Sequence, residues 1–139
     1  MTRELKNVSG ACLCGEITFN VNGQVSAFHM CHCTRCRRST GTAHASNIFT
    51  APDNITWLSG EANIRRFELP EAERFAKQFC LKCGSLLPYI NRAGTALVIP
   101  AGSLIGDPGV VPQDNIFWDE RAAWYDAGTA SVKYAEYPT

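Results

Sequence analysis

A chain of 139 residues is the size of one ordinary domain, because a single hydrophobic core usually organises about 100–150 residues. Hydrophobic residues at 45 % and charged residues at 19 % exclude a disordered chain, and 13 basic residues against 13 acidic ones exclude a global field for nucleic acid or an anionic membrane. No apolar run approaches the roughly eighteen residues of a membrane span, and residues 1–10 contain no apolar signal core, so the expectation is a soluble, cytoplasmic protein.

Glycine and proline punctuation recurs at Gly10, Gly41, Pro52, Gly60, Pro70, Gly94, Pro100, Gly102 and Gly109. The runs between are mostly too short for ordinary helices, which predicts a mainly β fold in a single domain over residues 1–139. Residues 16–21 alternate polar and apolar like a half-buried strand, and Asn22-Gly23 then predicts a tight hairpin turn. Further strands are predicted at 43–49, 55–58, 64–68, 74–79, 86–89, 97–99 and 116–118, with short helix after Cys33 and over 120–125.

Seven cysteines amount to about 5 % of the chain, below the roughly 8–10 % of a disulfide scaffold. Their odd number and close spacing point to metal ligands in a reducing compartment. They form three clusters: Cys12-Leu13-Cys14-Gly15, Cys31-His32-Cys33-Thr34-Arg35-Cys36 and Cys80-Leu81-Lys82-Cys83-Gly84. Residues i and i+2 of a strand share a face, so Cys12 with Cys14, and Cys31 with Cys33, can each present two sulfurs to one ion. Cys80-x-x-Cys83-Gly84 reads as a zinc knuckle, its glycine letting backbone amides turn toward the sulfurs. A closed structural zinc needs four ligands. If Cys12, Cys14, Cys80 and Cys83 supply them, Cys31, Cys33 and Cys36 remain as a three-thiolate site whose fourth position suits water or a substrate thiol. His29 is an alternative fourth ligand for that triplet, sharing a face with Cys31 and Cys33, whereas His32 points away; no βαβ pattern supports a redox role.

No acidic residue occurs between Glu16 and Asp53, a stretch that holds all three histidines and Arg35, Arg37 and Arg38. These arginines are candidates for offsetting thiolate charge or binding an anionic substrate, with a solvated basic surface as the plainer reading. His44, in a predicted strand, reads as structural, and Trp118, Trp124 and Tyr125 read as core.

The ordered set Gly10-Ala11-Cys12-Leu13-Cys14-Gly15-Glu16, Cys31-His32-Cys33-Thr34-Arg35-Cys36-Arg37-Arg38, Phe79-Cys80-Leu81-Lys82-Cys83-Gly84-Ser85 and Ala123-Trp124-Tyr125 resembles the glutathione-dependent formaldehyde-activating enzyme family, also called the centromere protein V/GFA domain. The resemblance spans most of the chain. It implies a β-tent of packed antiparallel sheets around a structural zinc, with little helix. By motif match, Cys12, Cys14, Cys80 and Cys83 take that zinc, while Cys31, Cys33 and Cys36 hold the zinc associated with catalysis. It further implies a carbon–sulfur lyase or synthase that adds the glutathione thiol to formaldehyde, giving S-hydroxymethylglutathione. Asn115 departs from the pattern, standing where many members carry a histidine.

Three functions compete on the sequence alone. The first is zinc-dependent chemistry on the adduct of glutathione, or a related thiol, with a small aldehyde. The second is a non-catalytic zinc module that binds a protein partner. The third, nucleic-acid binding through Arg35, Arg37 and Arg38, lacks an extended basic stripe.

Overall fold

The computed structural model describes residues 3–138. The protein is mainly β, with two short α-helices and three single 3₁₀ turns among the described residues. No helix among them is long and apolar enough to cross a membrane.

Strand β1 (Glu4–Ala11) pairs antiparallel with β2 (Thr18–Cys31), the longest element at 14 residues. The first half of β2 also pairs with β4 (Ile55–Ser59), and the second half runs between β3 (Ala45–Thr50) and the short parallel β10 (Asp114–Ile116). Beyond β3 lie β9 (Leu97–Pro100) and β8 (Tyr89–Ile90), completing seven strands. A separate three-stranded antiparallel sheet contains β5 (Ile64–Glu68), β6 (Ala76–Cys80) and β7 (Leu86–Leu87).

The hairpin expected at Asn22-Gly23 is not there; β2 passes straight through it. The turn falls instead at Cys12–Ile17, where the Cys12 amide donates to Ile17 O at 3.0 Å and Gly15 adopts φ +80°. Asn22-Gly23 marks the point at which β2 exchanges one pair of neighbours for another. Gly23 sits at φ +126°, and a Cβ there would come within 2.3 Å of Asn54 Nδ2. The Asn22 amide donates to Asn54 O, and its side chain accepts from the Asn7 amide. Thus an Asn-Gly pair with good turn chemistry is pinned as a bend by long-range pairing on both sides. Gly10, expected as punctuation, lies inside β1 because a Cβ there would meet the Phe19 ring at 2.2 Å.

The predicted strand 86–89 splits at Pro88. Proline cannot donate to a ladder, and the chain uses that break to pass from the three-stranded sheet into the larger one, with Gln78 Nε2 donating to Pro88 O at 2.8 Å. Leu5, Ile17, Phe19, Val21, Ile48, Leu87, Leu97 and Ile99 are fully buried and form the core together with Cys12 and Cys80. Phe19 meets Trp57 edge-on at 5.5 Å, so truncating this central ring is expected to cost about 3–5 kcal/mol.

Helix α1 (Thr34–Thr40) starts where predicted, capped by Cys33 Sγ accepting from the Cys36 amide and ended by Gly41 in the left-handed region. The C-terminal elements are shifted from expectation. β10 ends at Ile116, Phe117 takes φ +54°, residues 118–120 form a 3₁₀ turn, and α2 (Tyr125–Ala130) begins only after Ala122 is buried.

Candidate metal centres

Two thiol groups form, and each assembles ligand atoms within 4.8 Å of one another: Cys12, Cys14, Cys80 and Cys83, and Cys31, Cys33 and Cys36. In the first, the Cys12–Ile17 turn of the large sheet meets the β6–β7 turn of the small one. Cys12 and Cys14 are therefore turn residues rather than strand residues, β1 having ended at Ala11. Cys14 Sγ lies 3.5 Å from Cys12 Sγ and 3.9 Å from Cys80 Sγ. Four sulfurs about 2.3 Å from a tetrahedral zinc would stand about 3.8 Å apart, so donor chemistry and spacing both fit zinc. Backbone amides are aimed at the sulfurs: Ile17 N donates to Cys12 Sγ at 3.3 Å and Lys82 N to Cys80 Sγ at 3.4 Å. The Ser85 hydroxyl, 3.1 Å from Cys83 Sγ, holds that thiol down to about 5. Ser85 also accepts from the Leu13 amide, and Lys82 pairs with Glu16 at 3.1 Å, so the two turns are joined to each other by contacts that need no ion.

The second group comes from one continuous segment, the end of β2 and the start of α1. Cys31 and Cys36 are buried. Cys31 is the last residue of β2 and Cys33 the cap of α1, so the pair does not share a strand; a turn at the helix entrance brings it together. Hydrogen bonding with Cys36 holds the Cys31 thiol down to about 6 against the effect of burial, while Cys36 is pushed well up by the same contact. Burial raises Cys33. His29 lies outside the group of converging ligand atoms; its Nδ1 is 2.6 Å from Asp114 Oδ1.

Residues 114–120 splint this triplet. Asp114 holds His29, Asn115 Oδ1 accepts from His32 Nε2 at 2.9 Å, and Glu120 Oε1 accepts from both the amide and the hydroxyl of Thr34. Arg37 Nη1 donates to Glu120 O at 2.9 Å. His32, wholly buried, points away from the sulfurs into a cluster of His44, Trp118 and Tyr125, with ring centroids 4.8 to 5.0 Å away. Its Nδ1 has no partner among the described residues. Of the aromatic set read as core, Trp118 and Tyr125 cover His32, with Trp118 at 39 % exposure, whereas Trp124 at 58 % stands largely in solvent. His44 Nδ1 faces Ala45 O and Ser46 Oγ, and burial lowers its affinity for a proton.

The triplet lines a cavity of about 1090 Å³. Arg35 borders it, but Arg37 and Arg38 do not. The acid-free character of the sequence segment does not survive folding, since Glu71, Glu73 and Glu120 reach the same cavity along with Arg74. Phe75, Tyr89, Asn47 and Asn91 also line it and had no local signal beyond polar residues in strand-like runs.

Fold and sites together define a β protein with two thiol clusters able to bind metal ions. Residues 7–120 match the family described as glutathione-dependent formaldehyde-activating enzyme, and the chain belongs to that family. No curated protein matches it in sequence. Among solved structures, it is similar to a Rhodobacter sphaeroides protein determined by a structural genomics programme, with a TM-score of 0.55 and 22 % identity over 75 % of this chain and 97 % of that one. At that identity the likeness speaks to the fold.

Proposed function

We propose that the protein is an enzyme of carbon–sulfur bond chemistry, which joins the thiol of glutathione or a related small thiol to a small aldehyde such as formaldehyde. The observation that carries this reading is the position of three converging thiols in the wall of a cavity large enough for a tripeptide. In this reading Cys12, Cys14, Cys80 and Cys83 hold a structural zinc, and Cys31, Cys33 and Cys36 hold a second zinc with three protein ligands. Zinc held by the triplet would supply the Lewis acidity that keeps a substrate thiol deprotonated. The thiolate sulfur bonds to the carbonyl carbon, the carbonyl π bond opens, and the oxygen takes up the proton that the thiol released; nothing is oxidised or reduced. Arg35 and Arg74 offer cations to the two carboxylates of glutathione, and Glu71 and Glu73 offer carboxylates to its ammonium group. Arg37, committed to the Glu120 carbonyl, belongs to the scaffold of the triplet. A module that only binds a protein partner has no need of a cavity at the triplet.

The test uses cobalt-substituted protein and glutathione. Thiolate ligation is expected to change the charge-transfer and d–d absorption, and exchange NMR with formaldehyde is expected to show adduct turnover above the uncatalysed rate. Both signals should vanish in Cys36→Ser, while Arg35→Ala or Arg74→Ala, each removing an exposed cation, should weaken glutathione binding by about two- to fivefold with cobalt retained. Neither a spectral response to millimolar glutathione nor accelerated exchange in the wild type would refute the reading.

A further inference from the structure

Lys77 lies in β6 and is 6 % exposed, an unusual place for an ammonium group. Its Nζ stands 5.5 Å from the centroid of the Phe75 ring and 5.6 Å from that of Tyr89. None of the ion pairs among the described residues includes it. Cation–π contacts with two rings offset part of the cost of removing this charge from water, but buried charges ordinarily have an anion as well. The nearby arginines are spoken for or solvated: Arg66 and Arg92 share Glu68, and Arg35 and Arg74, which border the cavity, are exposed.

Three thiols lie beyond the Phe75 ring. Phe75, over which Lys77 sits, packs in one cluster with Cys31, Cys33 and Cys36. Burial lowers the Lys77 ammonium below the usual lysine range, and the charges of Cys36, Cys33 and Cys31 act against that. Three thiolates around a dication sum to a net charge of about −1, and a fourth thiolate makes it about −2; on the side of the buried Lys77 water screens that charge poorly. We infer that Lys77 is the buried counter-cation of the three-cysteine centre, and that it biases the remaining coordination position toward an anionic ligand, the thiolate of a substrate, over a neutral one. This inference rests on reading the triplet as a metal site. It makes Lys77 a specificity-determining residue that acts through the metal centre without touching the substrate.

The experiment compares an anionic with a neutral ligand on the full-length, cobalt-loaded protein, using azide and imidazole and following the d–d absorption. Lys77→Met and Lys77→Gln are expected to weaken azide binding by about tenfold and to leave imidazole binding within about twofold, while Lys77→Arg keeps the wild-type preference. A purely structural role would move both ligands together. Parallel loss of the two affinities, or an azide affinity unchanged in the neutral variants, overturns the inference even when cobalt is bound. Absence in the wild type of a thiolate-to-cobalt band that Cys36→Ser removes would instead strike the metal-site reading itself, and the inference with it. Lys77→Gln keeps the comparison available if the apolar variant does not fold, and Lys77→Arg tests charge separately from shape.

Discussion

Asn115 provides the sharpest test of how the triplet is held. His32 stands between Cys31 and Cys33, wholly buried, and its single side-chain hydrogen bond is Nε2–H to Asn115 Oδ1 at 2.9 Å. Asn115→Ala would leave both ring nitrogens of a buried imidazole without a partner, a penalty of about 1–3 kcal/mol. The lower half of that range applies, because Asn115 itself is exposed and water can enter the space it vacates. Urea unfolding of the zinc-loaded protein, followed by tryptophan fluorescence, measures the loss; Trp118 lies edge-on to His32 at 5.0 Å and reports on its position. Asn115→His can offer a ring nitrogen at the same place and should cost less than alanine. In a His32→Phe background the polar group is gone, so the cost of Asn115→Ala should fall below about 0.5 kcal/mol. If the two substitutions prove additive, or if Asn115→Ala is neutral in wild type, the hydrogen bond does not hold His32 and the splint argument fails.

On the proposed assignment of a structural zinc to the four-thiol group, Cys80→Ser should prevent stable folding, because such an ion contributes about 10–16 kcal/mol of apparent binding energy, comparable with or above total stability; Cys36→Ser should remain folded, and thermal melts with the opposite outcome would exchange the two sites' roles. Metal uptake by the triplet should be strongly proton-coupled: with Cys31 ionised above about 6 and Cys33 and Cys36 raised, two protons must leave on binding near neutral pH. Affinity should therefore climb about hundredfold per pH unit there and more steeply below the Cys31 value, and chelator competition or indicator-detected release of fewer than two protons would contradict it. Gly10→Ala forces a methyl group to within 2.2 Å of the Phe19 ring, which is fixed against Trp57, and should cost about 1–3 kcal/mol in a urea melt, whereas Gly102→Ala, with nothing nearby, should be tolerated.

Which features were legible in the sequence follows from the range of the interactions that create them. The strand at Ile64–Glu68 and the start of α1 obey local rules, a short run bounded by Gly60 and Pro70 in one case and a capping side chain in the other, and both lie where expected. β1 was missed because Asn7, at φ +51°, forms a bulge that shifts Leu5 and Val8 out of period-two alternation. Asn22-Gly23 misled because its turn propensity is worth less than pairing with Asn7 and Asn54, neither of which is local. Cysteine spacing pointed to the two convergent sets that all seven cysteines form, yet it said nothing of Glu71, Glu73 and Arg74, which arrive from a connection between strands of the other sheet. Lys77 lies in the strand predicted at 74–79 with no local mark of burial; only the folded structure shows it buried.

The two thiol groups differ most in how they are closed. The four-thiol group joins Cys14 to Cys80, 66 residues apart, across turns belonging to different sheets. An ion there acts as a cross-link between the sheets, and closing a loop of that length removes about 4 kcal/mol of chain entropy from the unfolded state alone. The triplet spans only Cys31 to Cys36, so an ion bound there closes almost no loop and adds little to the fold. What holds the triplet in shape is the protein itself, through Asp114, Asn115 and Glu120 from residues distant in sequence. On the proposed assignment, losing an ion from the first group would remove a link between the two sheets, whereas losing one from the second would leave its thiols still held by the surrounding hydrogen bonds. A site that exchanges a thiol ligand, as proposed for the triplet, calls for that second arrangement.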